Sequence, residues 1–181
     1  MGKRFRETIS SEWIKYLIVL ILSIALWFWV FGLYHAPKDT EKIELFFAGE
    51  VKDYSFEDKA CAEFDYLKSV SISAAYPWTG NSFEQKYSLV ALTASDVVIV
   101  PEEVAKETEC KRAFVELSGL GEPFVQEDVA YGVYLSEEAK QKLAPYFGFD
   151  YERYVVFAVA ASMNSGQVTD HSIQFIEWLL R

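Results

Sequence analysis

SDVVIVPEEVAKE, residues 95–107, sets the character of the folded part of the chain. Asp96–Val100 is almost wholly apolar and β-branched, the composition of a strand covered on both faces. Pro101 ends it and suits the first position of a helix, where Glu102 and Glu103 complement the positive end of the dipole. A buried strand running straight into a helix is the repeating unit of an α/β sheet.

The flanking segments extend that alternation. Ile43–Ala48 (IELFFA) is a short apolar run closed by Gly49, a strand by length. Phe56–Leu67 places apolar residues at 56, 60, 64 and 67, the helical period, with Ser55 as N-cap. Val70–Ala75 reads as a strand. Residues 76–81 (YPWTGN) read as a turn from their Pro, Gly and Asn, and Ser82 as the cap of a helix over 83–93 with Phe83, Tyr87, Val90 and Ala91 on one face. Downstream, Ala113–Leu117 and Val129–Leu135 read as strands, the latter with Gly132 at a bulge. Ser136 caps an acidic-first helix that Pro145 ends, Tyr154–Ala161 is a second buried strand, and Thr169 or Asp170 caps a closing helix. The pattern predicts a three-layer α/β domain with a mostly parallel or mixed sheet, right-handed crossovers putting helices on both faces.

A different signal precedes this domain. Residues 16–34 (YLIVLILSIALWFWVFGLY) carry no charge over 19 positions, about 28 Å as a helix, close to the hydrocarbon thickness of a bilayer. Trp13 and Tyr16 stand at one end, Trp27, Trp29 and Tyr34 at the other, as in interfacial aromatic belts. Ser23, the polar interior group, can bond back to the preceding turn. Lys3, Arg4, Arg6 and Lys15 against Glu7 and Glu12 make residues 1–15 basic, which places the N-terminus in the cytoplasm. A cleaved signal peptide is the rival; the run exceeds the usual length of about 7–15 residues and no small-x-small cleavage site follows. The reading divides the chain into a basic cytoplasmic N-terminus (1–15), a transmembrane helix (16–34), a polar tether (35–41, reaching at most about 25 Å) and an extracytoplasmic domain (42–181) of a cell-membrane protein.

Charge narrows the partners. The 181 residues carry 17 Lys and Arg against 27 Asp and Glu, a net charge of −10. After residue 34 the balance is 13 basic to 25 acidic groups, without the basic stripe a nucleic-acid binder uses to displace counterions. With two His and two Cys, a Cys/His zinc site is not expected, nor a cofactor, and no GxSxG, HExxH, Walker A or GxGxxG pattern occurs. His35 and His171 have no nucleophile motif around them. Acidic pairs such as Glu102/Glu103 and Glu137/Glu138 read as dipole complements at helix starts, and the chain is expected not to be an enzyme. Cys61 and Cys110 lie in a compartment that permits disulfides. A bridge between them would close a loop of about 50 residues and contribute roughly 4 kcal/mol; alternatively Cys61 is a small buried hydrophobe.

The aromatic turn is the strongest candidate for binding. Open α/β sheets take ligands beyond the carboxyl ends of their strands. Trp78, Thr79 and Asn81 offer a flat apolar face beside hydroxyl and amide groups, suited to a sugar or other small polar solute. Gly49 ends one strand and Pro101 and Glu102 follow another, so the candidate rim is Gly49, Tyr76, Trp78, Thr79, Pro101 and Glu102; Trp78 as a core or interface plug is the competing reading.

KIELFFAGE (42–50), SVSISAAY (69–76) and SDVVIVPEEVAKE are similar to the first lobe of the extracellular solute-binding proteins of ABC importers. FVELSGL (114–120), VAYGVYLS (129–136) and the closing segment 154–180 extend the resemblance over most of residues 42–181. It implies one truncated lobe, anchored by a helix where the family commonly uses a lipidated Cys. The implied function is weak binding of a small solute, or docking to a membrane partner such as an importer permease or sensor. A single lobe lacks the second wall that encloses a ligand. The alternatives are a purely structural or interaction subunit without a ligand and, further off, an enzyme acting on surface glycans, which requires two carboxylates about 5–10 Å apart across one cleft.

Overall fold

The computed structural model describes residues 2–77, 80–166 and 168–181, with side chains described from residue 13 onward except 33–35. The chain divides into two units, residues 1–36 and 37–181. The first is one helix, α1 (Gly2–His35). Within it, Trp13–Gly32 is long and apolar enough to cross a membrane. The apolar side chains of that stretch are exposed, and the Ser23 hydroxyl in its interior donates to the Val19 carbonyl at 2.8 Å, closing that polar group onto the helix itself.

The second unit is an α/β domain. In chain order it comprises β1 (Lys42–Phe47), β2 (Glu50–Val51), α2 (Ser55–Glu63), β3 (Ser69–Ala74), α3 (Asn81–Lys86), β4 (Val97–Pro101), α4 (Glu102–Glu107), α5 (Cys110–Ala113), β5 (Pro123–Gln126), β6 (Val129–Tyr134), α6 (Glu137–Leu143), β7 (Phe147–Gly148), β8 (Tyr154–Ala158) and α7 (His171–Leu180). Six strands form one sheet in the order β3-β1-β4-β8-β6-β5, and β2 and β7 pair as a separate antiparallel ribbon.

β1 pairs in parallel with β3 and β4. The remaining pairings, β4–β8, β8–β6 and β6–β5, are antiparallel. The sheet is therefore mixed. Its parallel part ends at β4: β5 and β6 form a hairpin, and β8, which follows β6 after α6 and β7, enters antiparallel between β4 and β6. The β1 to β3 connection crosses to one side of β1 and the β3 to β4 connection crosses back to the other. Crossovers of one hand then set α2 and α3 on opposite faces.

Alternation along the strands feeds both faces. Ile43, Leu45, Phe47, Val97, Ile99 and Val156 point to one, where Phe56 and Ala60 of α2, Ala139 and Leu143 of α6, and Phe175, Ile176 and Leu179 of α7 cover them. Phe46, Val98, Val100, Val155 and Phe157 point to the other, under Phe83 of α3, Val104 and Ala105 of α4, and Cys110 of α5. β4 and β8 are buried along their whole length, as their apolar composition requires.

Local differences from the sequence reading have physical causes. Residues 113–117 do not form a strand: Cys110–Ala113 is a helical turn, and Phe114 makes one isolated bridge to Val159. The helix expected over 83–93 starts at Asn81, with Gly80 before it, and passes into a π turn over Tyr87–Ala91. Ser55 lies in the first turn of α2; its N–H and hydroxyl both donate to the Asp53 carboxylate, so Asp53 supplies the cap. Ser136 caps α6 as expected, its Oγ accepting from the Ala139 N–H at 3.1 Å. Residues 39–41 of the polar connection are bonded into the domain. Asn164 Nδ2 donates to the Asp39 carbonyl at 2.9 Å, and the Lys68 N–H donates to the Glu41 carbonyl at 2.7 Å.

Candidate functional site

The carboxyl ends of β1, β3 and β4 lie at one end of the sheet, so Gly49, Tyr76, Pro101 and Glu102 come to the same rim. Trp78 and Thr79 fall outside the described residues. Gly49 lies between β1 and β2, beside β7: a Cβ there would stand 2.6 Å from the Phe47 ring and 3.0 Å from the Gly148 carbonyl. Pro101 is buried and registers with Tyr154 of β8. The Tyr76 hydroxyl donates to the Asp150 carboxylate at 2.5 Å.

Glu102 is the centre of a chain of matched charges. Its Oε1 accepts from Lys106 Nζ at 2.8 Å and from the Tyr134 hydroxyl at 3.0 Å. The Arg153 guanidinium lies 3.5 Å from the centre of the Tyr134 ring and pairs with Glu122. The Lys106 hydrogen bond, followed by that of Tyr134, holds the Glu102 carboxyl below its ordinary value. Burial first, then the bond to Glu102, pushes the Tyr134 hydroxyl up. Glu122, Arg153, Glu102 and Lys106 thus set charges of alternating sign around the Tyr134 side chain. Above the strand ends Phe47 stacks on Tyr154 at 5.9 Å and meets Phe147 and Phe149 at 4.8 and 5.5 Å. The rim is thus internally paired, and its aromatic groups pack on one another.

The cysteines do not pair. Both are free thiols. Cys61 packs with the α2–α7 side of the sheet and Cys110 lies buried on the α3–α5 side, so the sheet separates them. Burial pushes the Cys110 thiol up to about 11, which leaves it protonated and inert near neutral pH. His171 stacks on Tyr66 with ring centres 3.7 Å apart, and its Nδ1 lies 3.1 Å from the Thr40 carbonyl. Among the described residues no three His, Cys, Asp or Glu side chains gather to hold a metal ion.

An open site lies on the other face. A cleft of about 440 Å³ runs between α3 with its π turn and α4 with the segment after it. Phe83, Tyr87, Leu92 and Val104 form its apolar walls. The Phe83 and Tyr87 rings stack at 5.6 Å, nearly coplanar at 9°. The Thr108 hydroxyl donates its one hydrogen to the Val104 carbonyl at 2.8 Å. Tyr87 is therefore the donor in its 2.8 Å bond to Thr108 Oγ1. Burial raises the Tyr87 hydroxyl to about 12, so it stays neutral. Gly80, with φ of 71°, stands at the mouth with Glu84, Ser88, Glu107 and Glu109.

The chain matches no family model, no curated protein and no solved structure. The cleft therefore has to be read from its own chemistry. Helical periodicity marked Phe83 and Tyr87 as core, which they are; that their exposed edge walls a cleft depends on the π turn and on where α4 stops. No spacing rule brings Glu84 together with Glu107 and Glu109.

Proposed function

We propose that this is a single-pass membrane protein whose α/β domain, carried outside the cytoplasm, binds a small solute in the cleft between α3 and α4 and performs no chemistry on it. The cleft carries the reading. Its volume falls within the roughly 300–1,000 Å³ of small-molecule sites, and apolar walls with a few polar groups at the edge are the usual composition of such sites. The paired rim at the strand ends favours the cleft over the aromatic turn as the place of binding, since Glu102, Tyr76 and Asp150 already satisfy one another or their neighbours. The basic flank of Trp13–Gly32 supports an N-terminus in the cytoplasm. A likeness to one lobe of a solute-binding protein remains part of the proposal; the domain would then present its ligand to a transport or sensor partner.

The test is a titration of the full chain in phospholipid nanodiscs with pools of sugars, amino acids, short peptides and amines, followed by thermal melting and intrinsic fluorescence. At least one pool raises the melting temperature of the wild type and leaves Ser88→Trp, which fills the cleft from its exposed edge, unmoved. A flat response to every pool removes solute binding and leaves an interaction subunit.

A further inference from the structure

We infer that the solute of the α3–α4 cleft is an organic cation with a small apolar body, such as an aryl or alkyl amine; this rests on the reading of the cleft as the binding site. The hydrogen-bond inventory decides the sign. Thr108 gives its hydrogen to Val104, and Tyr87 gives its own to Thr108. Both hydroxyls have then spent their donors, and what remains toward a ligand is lone pairs. Glu84, Glu107 and Glu109 add only acceptors at physiological pH. Glu109 is shared with Arg112 at 3.2 Å, while Glu84 and Glu107 make no ion pair among the described residues. Lys86 donates to the Ala74 carbonyl at 3.3 Å and Lys106 pairs with Glu102 at 2.8 Å, so neither forms an ion pair with the carboxylates of the cleft. Apart from the Ser88 hydroxyl, which can donate as well as accept, a ligand entering here meets acceptors and negative charge beside apolar walls, and a cation with an apolar body answers both. An anion would be repelled, and a neutral apolar molecule would leave the carboxylates unanswered. The excess of 25 acidic over 13 basic residues after position 34 steers cations toward the domain in the same sense.

Three probes sharing one body separate the terms: phenethylamine, phenethyl alcohol and phenylacetate. Each is titrated calorimetrically into the full chain in phosphatidylcholine nanodiscs, with empty discs subtracted. Phenethylamine binds about tenfold more tightly than the alcohol, phenylacetate does not bind, and the preference shrinks as salt is raised. The double variant Glu84→Gln, Glu107→Gln lowers phenethylamine affinity several-fold and leaves the alcohol unchanged; both substitutions lie on exposed positions and leave the melting temperature in place. Ser88→Trp abolishes binding of both. Alcohol and amine binding equally, with both lost in Ser88→Trp, overturns the cation inference and leaves the cleft as the site. Amine binding that survives Ser88→Trp overturns the cleft and the inference together. Failure of all three probes overturns the inference, while the solute pools judge the cleft separately.

Discussion

Asp96 sits where four parts of the chain meet. One carboxylate oxygen accepts the Glu44 N–H of β1 at 2.6 Å, and the other accepts from the Ser162 hydroxyl and from Asn164 Nδ2. Asn164 Nδ2 also reaches the Lys42 and Asp39 carbonyls. In the sequence Asp96 reads only as the first residue of a strand. The role comes from partners 52 and 68 positions away, which no local pattern reveals. Gly132 is a case where the local pattern did speak. The register of β5 and β6 slips beside it, and a Cβ there would stand 2.6 Å from the Phe157 ring, itself stacked on Phe114 at 4.1 Å. Glu102 carries a testable pH dependence. Its folded carboxyl is held below the ordinary value of 4.5 by Lys106 first and Tyr134 after it. The stabilisation is therefore complete above that value and is lost as pH falls through the lower folded one. Denaturant midpoints of wild type and Glu102→Gln are expected to differ near neutral pH and to converge in acid. A gap that widens in acid contradicts the assignment.

Long apolar strands are the most legible pieces. The runs read over 43–48, 96–100 and 154–161 correspond to β1, β4 and β8; β4 and β8 are buried on both faces along their length, and in β1 only Lys42 and Glu44 interrupt the apolar run. β5 escaped notice for a specific reason. It is four residues long, and the turn that joins it to β6 is Glu127-Asp128, both with positive φ of 53° and 63°. Gln126 pairs with Val129, so this is a two-residue hairpin of the type that Asn-Gly serves. Glu and Asp carry no such signal, and left-handed backbone costs such a residue about 1 kcal/mol or more. Replacing Glu127-Asp128 by Asn-Gly is expected to raise stability by about 1 kcal/mol, read as a rise in melting temperature of a few degrees. An unchanged or lower melting point would mean that the tip is held by contacts its own backbone does not explain. The π turn over Tyr87–Ala91 is the opposite case: periodicity identified its buried face, yet the same residues fit a regular helix equally well.

The N-terminal apolar helix and the domain are separate units; as the proposed membrane span the helix would be solvated by lipid, while the domain rests on a two-faced core. Their topology is open to direct measurement. In a Cys61→Ser background, which removes the partly exposed native thiol, cells producing Ser118→Cys are expected to react with a membrane-impermeant maleimide, and those producing Ser10→Cys only after permeabilisation. The inverse pattern would place the domain in the cytoplasm. Composition and hydropathy already determine the apolar span, the acidity of the domain beyond it and the alternation of strand and helix, since each depends on residues adjacent in the chain. Strand order, the turn to antiparallel pairing after β4, the separation of Cys61 from Cys110 and the cleft between α3 and α4 depend instead on which distant segments pack together. A packing choice of that kind is the sum of many weak contacts across the core, and no single stretch of sequence carries it.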